Sequence, residues 1–111
     1  MSLSTHVLDT AKGVPATGVE VILERSDGDG WTRLTEGVTD GDGRIGDLVV
    51  AGDLASGVHR LTFATADYCK RSDEVCFFPE VIVTFAVTSP GEHHHVPLLL
   101  SPFGYSTYRG S

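Results

Sequence analysis

Along most of this chain, hydrophobic and polar residues alternate in short runs separated by glycine, proline and aspartate. From Leu3 to Asp9, Leu3, Thr5 and Val7 face one way and Ser4, His6 and Leu8 the other. A period of two places successive side chains on opposite faces of a strand. Residues 19–25 alternate more clearly, with Val19, Val21 and Leu23 against Glu20, Ile22 and Glu24. Residues 31–39, 57–64, 93–100 and 105–109 read as further strands, Arg44 and Ile45 as a short strand or bend. Residues 81–87 join them, with Val81, Val83, Phe85 and Val87 on one face. Residues 12–18, 26–30 and 40–43 carry the Gly, Pro and Asp of turns. Thr65 to Arg71 is the one expected helix, a turn or two long, and Ser72-Asp73-Glu74 could either extend it or loop. Many short strands with turn signals every 8–12 residues predict an all-β antiparallel sandwich or barrel.

Length and composition narrow the class. With 111 residues, the chain reads as a single domain spanning residues 1–111. A net charge of −7, from 15 acids and 8 bases, argues against nucleic acid or an anionic membrane as partner. No run approaches the ~20 apolar residues of a membrane span. Residues 1–5 lack the basic and apolar regions of a signal peptide, so a cytoplasmic location is expected. Cys69 and Cys76, the only cysteines, are then expected as free thiols.

The chemistry-bearing residues are histidines and the C-terminal segment. His93 and His95 share a strand face, and His94 points the other way. Two histidines on one face plus a third suit a zinc site, but equally an exposed polar strand start. His6 is polar within the first strand, and Arg44 follows a Gly-Asp turn. His59 has no evident partner. The Asp-Gly repeats at 27–30 and 40–43 lack the third ligand and distal Glu of an EF-hand, and read as turns.

Three separated segments and the tail resemble one family. Leu3-Ser4-Thr5-His6-Val7-Leu8-Asp9, followed by Gly13-Val14-Pro15-Ala16, is similar to its N-terminal strand motif. Thr39-Asp40-Gly41-Asp42-Gly43-Arg44 resembles its arginine loop. Phe77-Phe78-Pro79-Glu80-Val81 and His93-His94-His95-Val96-Pro97 lead to Tyr105-Ser106-Thr107-Tyr108-Arg109-Gly110-Ser111, which looks like the signature of the 5-hydroxyisourate hydrolases. The resemblance implies a transthyretin-like sandwich of two four-stranded sheets with one short helix. It implies a homotetramer, a dimer of dimers, with active sites in the channel between dimers. The implied reaction is hydrolysis of 5-hydroxyisourate to 2-oxo-4-hydroxy-4-carboxy-5-ureidoimidazoline, without cofactor or metal. Mapped by motif, His6, Arg44, His95 and Ser111 are the expected catalytic residues. His6, Arg44, Tyr108, Arg109 and Gly110 are the expected substrate contacts. His94 stands where the family usually has an aromatic, and Ala64 where an acid is often found.

These residue types suit the reaction. Opening a cyclic amide with water requires a base for the water, an acid for the leaving nitrogen and a cation for the oxyanion. Histidine, with an ordinary pKa near 6.5, serves as base or acid at neutral pH, and arginine stays charged. The competing readings are a transthyretin-like small-molecule binding protein without catalysis, and a zinc hydrolase built on His6, His93 and His95.

Overall fold

The structure, a computed structural model, describes residues 3–48 and 54–110. Its strands are β1 (Leu3–Asp9), β2 (Val14–Pro15), β3 (Glu20–Ser26), β4 (Trp31–Val38), β5 (Arg44–Ile45), β6 (Gly57–Phe63), β7 (Val81–Val87), β8 (His94–Ser101) and β9 (Gly104–Thr107). The helix α1 (Thr65–Arg71) lies between β6 and β7. One sheet runs β2-β1-β8-β9, with β5 also pairing to β1; the other runs β4-β3-β6-β7. The fold is therefore the expected transthyretin-like sandwich with one short helix.

Two details depart from the expectation. The pair at the centre of the first sheet, β1 and β8, is parallel, with Ser4 opposite His95 and Val7 opposite Leu98. That sheet also has five strands, because the two-residue strands β2 and β5 share the outer edge of β1. Val14 and Pro15, expected within the turn at 12–18, pair with β1 instead. Two residues are too few for a period to register, and only the pairing of Asp9 with Val14 makes them a strand.

The core forms where the apolar faces of the sheets meet. Leu3 and Val7 of β1, Val21 and Leu23 of β3, Leu61 and Phe63 of β6, Val81 of β7 and Leu98 of β8 are buried. Each sits at an alternating position of its strand, so one face of each sheet lies inside. Ser4, His6 and His95 fall on the opposite phase from Leu3, Val7 and Leu98. That phase is what brings polar groups onto the outer face of the five-stranded sheet.

Helix α1 is too short to stand by propensity and depends on packing. Tyr68 and Cys69 are buried beneath it, and the Tyr68 hydroxyl donates to Asp9 Oδ2 at 2.7 Å. Burial, helped by that bond to the carboxylate, pushes the Tyr68 phenol up to about 12. Cys69 and Cys76 are free, as expected.

Candidate active site

The arginine loop is built by its aspartate, threonine and glycine. Thr39 is buried; its hydroxyl donates to Ala16 O at 2.7 Å and accepts from Val19 N at 2.9 Å. Asp40 Oδ1 accepts the backbone N–H of Asp42 at 2.9 Å and of Arg44 at 3.0 Å, closing the turn. These bonds, with the positive charges of Arg44 and His6 nearby, hold the Asp40 carboxyl below its ordinary range. Gly43 has φ +75°, and a Cβ there would overlap the Val7 carbonyl. Only glycine allows the loop to lie this close to β1, where Val7 N donates to Gly43 O at 2.7 Å. The loop thus delivers Arg44 as the cross-strand partner of His6.

Cross-strand partners share a face. His6 donates from Nε2 to the Asp42 carbonyl at 2.9 Å. A carbonyl only accepts, so Nε2 carries the proton and Nδ1 is left bare in the neutral ring. On the neighbouring strand, His95 Nδ1 lies 2.7 Å from Ser4 Oγ, and the same hydroxyl lies 2.9 Å from His93 Nε2. His93 precedes β8, yet its ring reaches the same face as His95, as the spacing predicted. The His95 imidazolium is disfavoured by burial first, then by the positive charges of His6, His93 and Arg44, so its pKa lies below 6.5. A neutral imidazole facing a cationic arginine has the pairing of base and oxyanion stabiliser that acyl hydrolysis needs.

The tail closes over this group. Gly110 N donates to His95 O at 2.8 Å, and a Cβ on Gly110 would overlap the His95 ring. Glycine is therefore required by contact with the imidazole. Tyr108 and Arg109 line, with His95, a cavity of about 230 Å³ that extends to Val83 and Phe85 of β7. Arg109 also pairs with Glu92 at 2.8 Å on the exposed rim. Ser111 lies outside the described residues.

The structure brings His6, Arg44, His93 and His95 together, with Gly110 against His95 and Tyr108 and Arg109 beside it. Among the described residues, no group of three or more His, Cys, Asp or Glu is placed to hold a metal ion. Ser4 was missed as a functional residue. The available signal was its phase: it lies two residues from His6 on the same strand face.

His94 faces the interior, as the alternation required, and meets an unexpected neighbour. It is buried with His59, which stacks on Phe85 at a centroid distance of 5.9 Å. His59 Nδ1 donates to Gly57 O at 3.1 Å. His59 Nε2 and His94 Nδ1 have no hydrogen-bond partner among the described residues.

In this chain, a two-sheet sandwich carries a His/Arg face beside a small cavity. The sequence model of the HIUase/Transthyretin family matches residues 3–110, and the chain belongs to that family. It is 50% identical to the 5-hydroxyisourate hydrolase of Salmonella dublin over 109 residues, 98% of this chain and 80% of that protein. The structure of Klebsiella pneumoniae 5-hydroxyisourate hydrolase superposes with TM-score 0.87 at 38% identity, covering all of both chains. Sea bream transthyretin in complex with thyroxine superposes with TM-score 0.92 at 34% identity, over 99% of this chain and 95% of that one.

Proposed function

We propose that this chain is a hydrolase that opens the six-membered ring of 5-hydroxyisourate, giving 2-oxo-4-hydroxy-4-carboxy-5-ureidoimidazoline in urate breakdown. The observation that carries this reading is the convergence of His6, Arg44 and His95 on one face of the five-stranded sheet. The hydrolases similar to it across nearly its whole length support it.

In the proposed reaction a water molecule adds to the ring amide carbonyl. His6 Nδ1, or His95 Nε2 in the tautomer that leaves it bare, takes its proton. The carbonyl oxygen becomes an oxyanion, and Arg44, always charged, stabilises it. The C–N bond then breaks, and a histidine returns a proton to the leaving nitrogen. Tyr108, Arg109 and the Gly110 backbone, beside His95, bind the planar ring. We assign Ser111 to orienting a histidine. No cofactor enters these steps.

The working form is proposed to be a homotetramer, a dimer of dimers. The outer strands β9 and β7 end their sheets on the same side, since both line the cavity next to His95. Open edges invite pairing with a second copy. Phe103, 73% exposed, and Phe77, 67% exposed, give the adjoining surface an apolar character suited to a further contact. No helix among the described residues is long and apolar enough to cross a membrane. We place the protein in the cytoplasm.

The test is direct. Urate oxidase generates 5-hydroxyisourate in the cuvette, and its decay is followed by absorbance with and without the protein. Acceleration in proportion to enzyme is the expected result. Decay at the spontaneous rate would remove this function.

A further inference from the structure

One hydroxyl bridges two histidines on the proposed catalytic face, and the reaction above uses only one of them. Ser4 Oγ lies 2.7 Å from His95 Nδ1 and 2.9 Å from His93 Nε2. A serine hydroxyl has one proton to give and two lone pairs to receive with. Between two ring nitrogens it therefore has two complete arrangements. In one, His95 Nδ1–H donates to Ser4 and Ser4 donates to His93 Nε2, which leaves His95 Nε2 bare. In the other, His93 Nε2–H donates to Ser4 and Ser4 donates to His95 Nδ1, which requires the proton on His95 Nε2. The first presents a base to the site and the second an acid.

We propose that Ser4 is a positioning residue which, with His93, switches His95 between its base and acid tautomers by turning a single hydroxyl. The proposal rests on the reading of His95 as a proton-transfer group.

The protons balance. Water's proton goes to His95 Nε2, the Nδ1 proton passes to Ser4 Oγ, and the original Ser4 proton passes to His93 Nε2. His93 already carries a proton on Nδ1; as an exposed ring it releases that proton to solvent. His95 now holds Nε2–H and donates it to the leaving nitrogen. The same path run backwards, with one proton taken from solvent at His93, restores the base form. No imidazolium has to persist on His95.

The surroundings favour that route. Ser4 is buried, His95 half-buried and His93 exposed, so the chain of rings runs from the interior to water. His6 and Arg44 face His95 from β1 and β5, and a lasting charge on His95 is opposed by both and by His93. On the remaining side lie the Gly110 backbone and, along the cavity, Tyr108 and Arg109, the latter neutralised by Glu92. The register of β1 against β8 holds Ser4 opposite His95, so the distance is set by the sheet rather than by a flexible loop.

The experiment is Ser4→Ala, with Ser4→Thr as the hydroxyl-retaining control and His93→Ala as a second route. Two readouts are taken: kcat and KM on enzymatically generated 5-hydroxyisourate, and the His95 tautomer from ¹⁵N shifts of histidine-labelled protein without substrate. Ser4→Ala is expected to lower kcat about ten- to a hundredfold, the size of effect typical when a histidine loses its orienting partner, with KM little changed. It is also expected to move His95 toward the Nε2–H tautomer that free imidazole prefers. Ser4→Thr should restore both. His93→Ala, at an exposed position, should shift the tautomer in the same direction, because the Ser4 proton then has His95 Nδ1 as its one ring acceptor. A His95 tautomer unchanged in both Ser4→Ala and His93→Ala overturns the proposal, whatever happens to the rate. Wild-type protein that leaves the substrate untouched overturns the hydrolase reading instead, and the nitrogen shifts still decide the link between Ser4 and His95.

Discussion

His95 stands at the meeting point of the proposed site, touching Ser4 through its ring, Gly110 through ring and backbone, and the field of His6 and Arg44. His6→Ala, Arg44→Ala and His95→Ala are each expected to lower kcat at least ~10²-fold with the fold intact, since each removes a proton-transfer or charge-stabilising group. Steady-state kinetics beside circular dichroism checks this. A neutral His95 base loses activity as pH falls and it takes a proton. Its pKa is depressed, so the acid limb of kcat/KM should have its midpoint below 6.5, after the spontaneous decay at each pH is subtracted. A midpoint above 6.5 would assign the limb to another group. Gly110→Ala forces the new methyl into the His95 ring, and is expected to cut activity while thermal melting barely moves. The shared strand face of His93 and His95 was legible in the sequence, because strand phase fixes it; the same phase puts Ser4 with His6, but nothing else in the sequence marked Ser4 as part of the candidate site. What could not be read is the proton on each nitrogen. That depends on the Asp42 carbonyl and the Ser4 hydroxyl, partners 36 and 91 residues away.

Among the elements, β1 and β7 were legible to their end residues, since each is a clean periodic run between breakers; α1 was legible in its start, while Ser72-Asp73-Glu74 left its end open. The parallel pairing of β1 with β8 was not, because alternation fixes which face a residue takes and says nothing about its neighbour's direction. The same blindness hid the meeting of His59 on β6 with His94 on β8, one from each sheet. Burial, the main cause, keeps the His59 imidazole neutral and its pKa below 6.5; the charges of Arg25 and His94 add to this. As pH falls through about 6.5, the unfolded chain takes up this proton first. Stability therefore drops from there until the folded ring also protonates, and the full loss is present below its folded pKa. His59→Leu should shrink the difference between denaturant midpoints measured at pH 8 and pH 5. An undiminished difference would place the acid sensitivity elsewhere.

At the scale of the whole molecule, the proposed assembly and the tail are tested together. Sedimentation of the native protein at assay concentration is expected to give a tetramer; a fully active monomer would contradict it. Removing residues 108–111 takes away Tyr108, Arg109 and the glycine against His95, and should abolish activity while the sandwich still melts cooperatively. The sandwich itself was legible from alternation, but the placing of two open edges beside one cavity required the strand order.

The parallel pairing of β1 with β8 also has a consequence in time. Ser4 and His95 meet across 91 residues of sequence, and every strand of the second sheet is laid down between them. Parallel pairs need such long crossovers, and pairings this remote form slowly because loop closure precedes any gain from contact. A chain emerging from the ribosome carries β1 with its parallel partner β8 unmade until all of the second sheet has been synthesised. Catalytic competence is therefore acquired late, in one step with the closing of the first sheet. In refolding experiments the recovery of activity should trail the change in Trp31 fluorescence, since half-buried Trp31 belongs to the β3–β4 hairpin and stacks under Arg60 of β6, all within the second sheet.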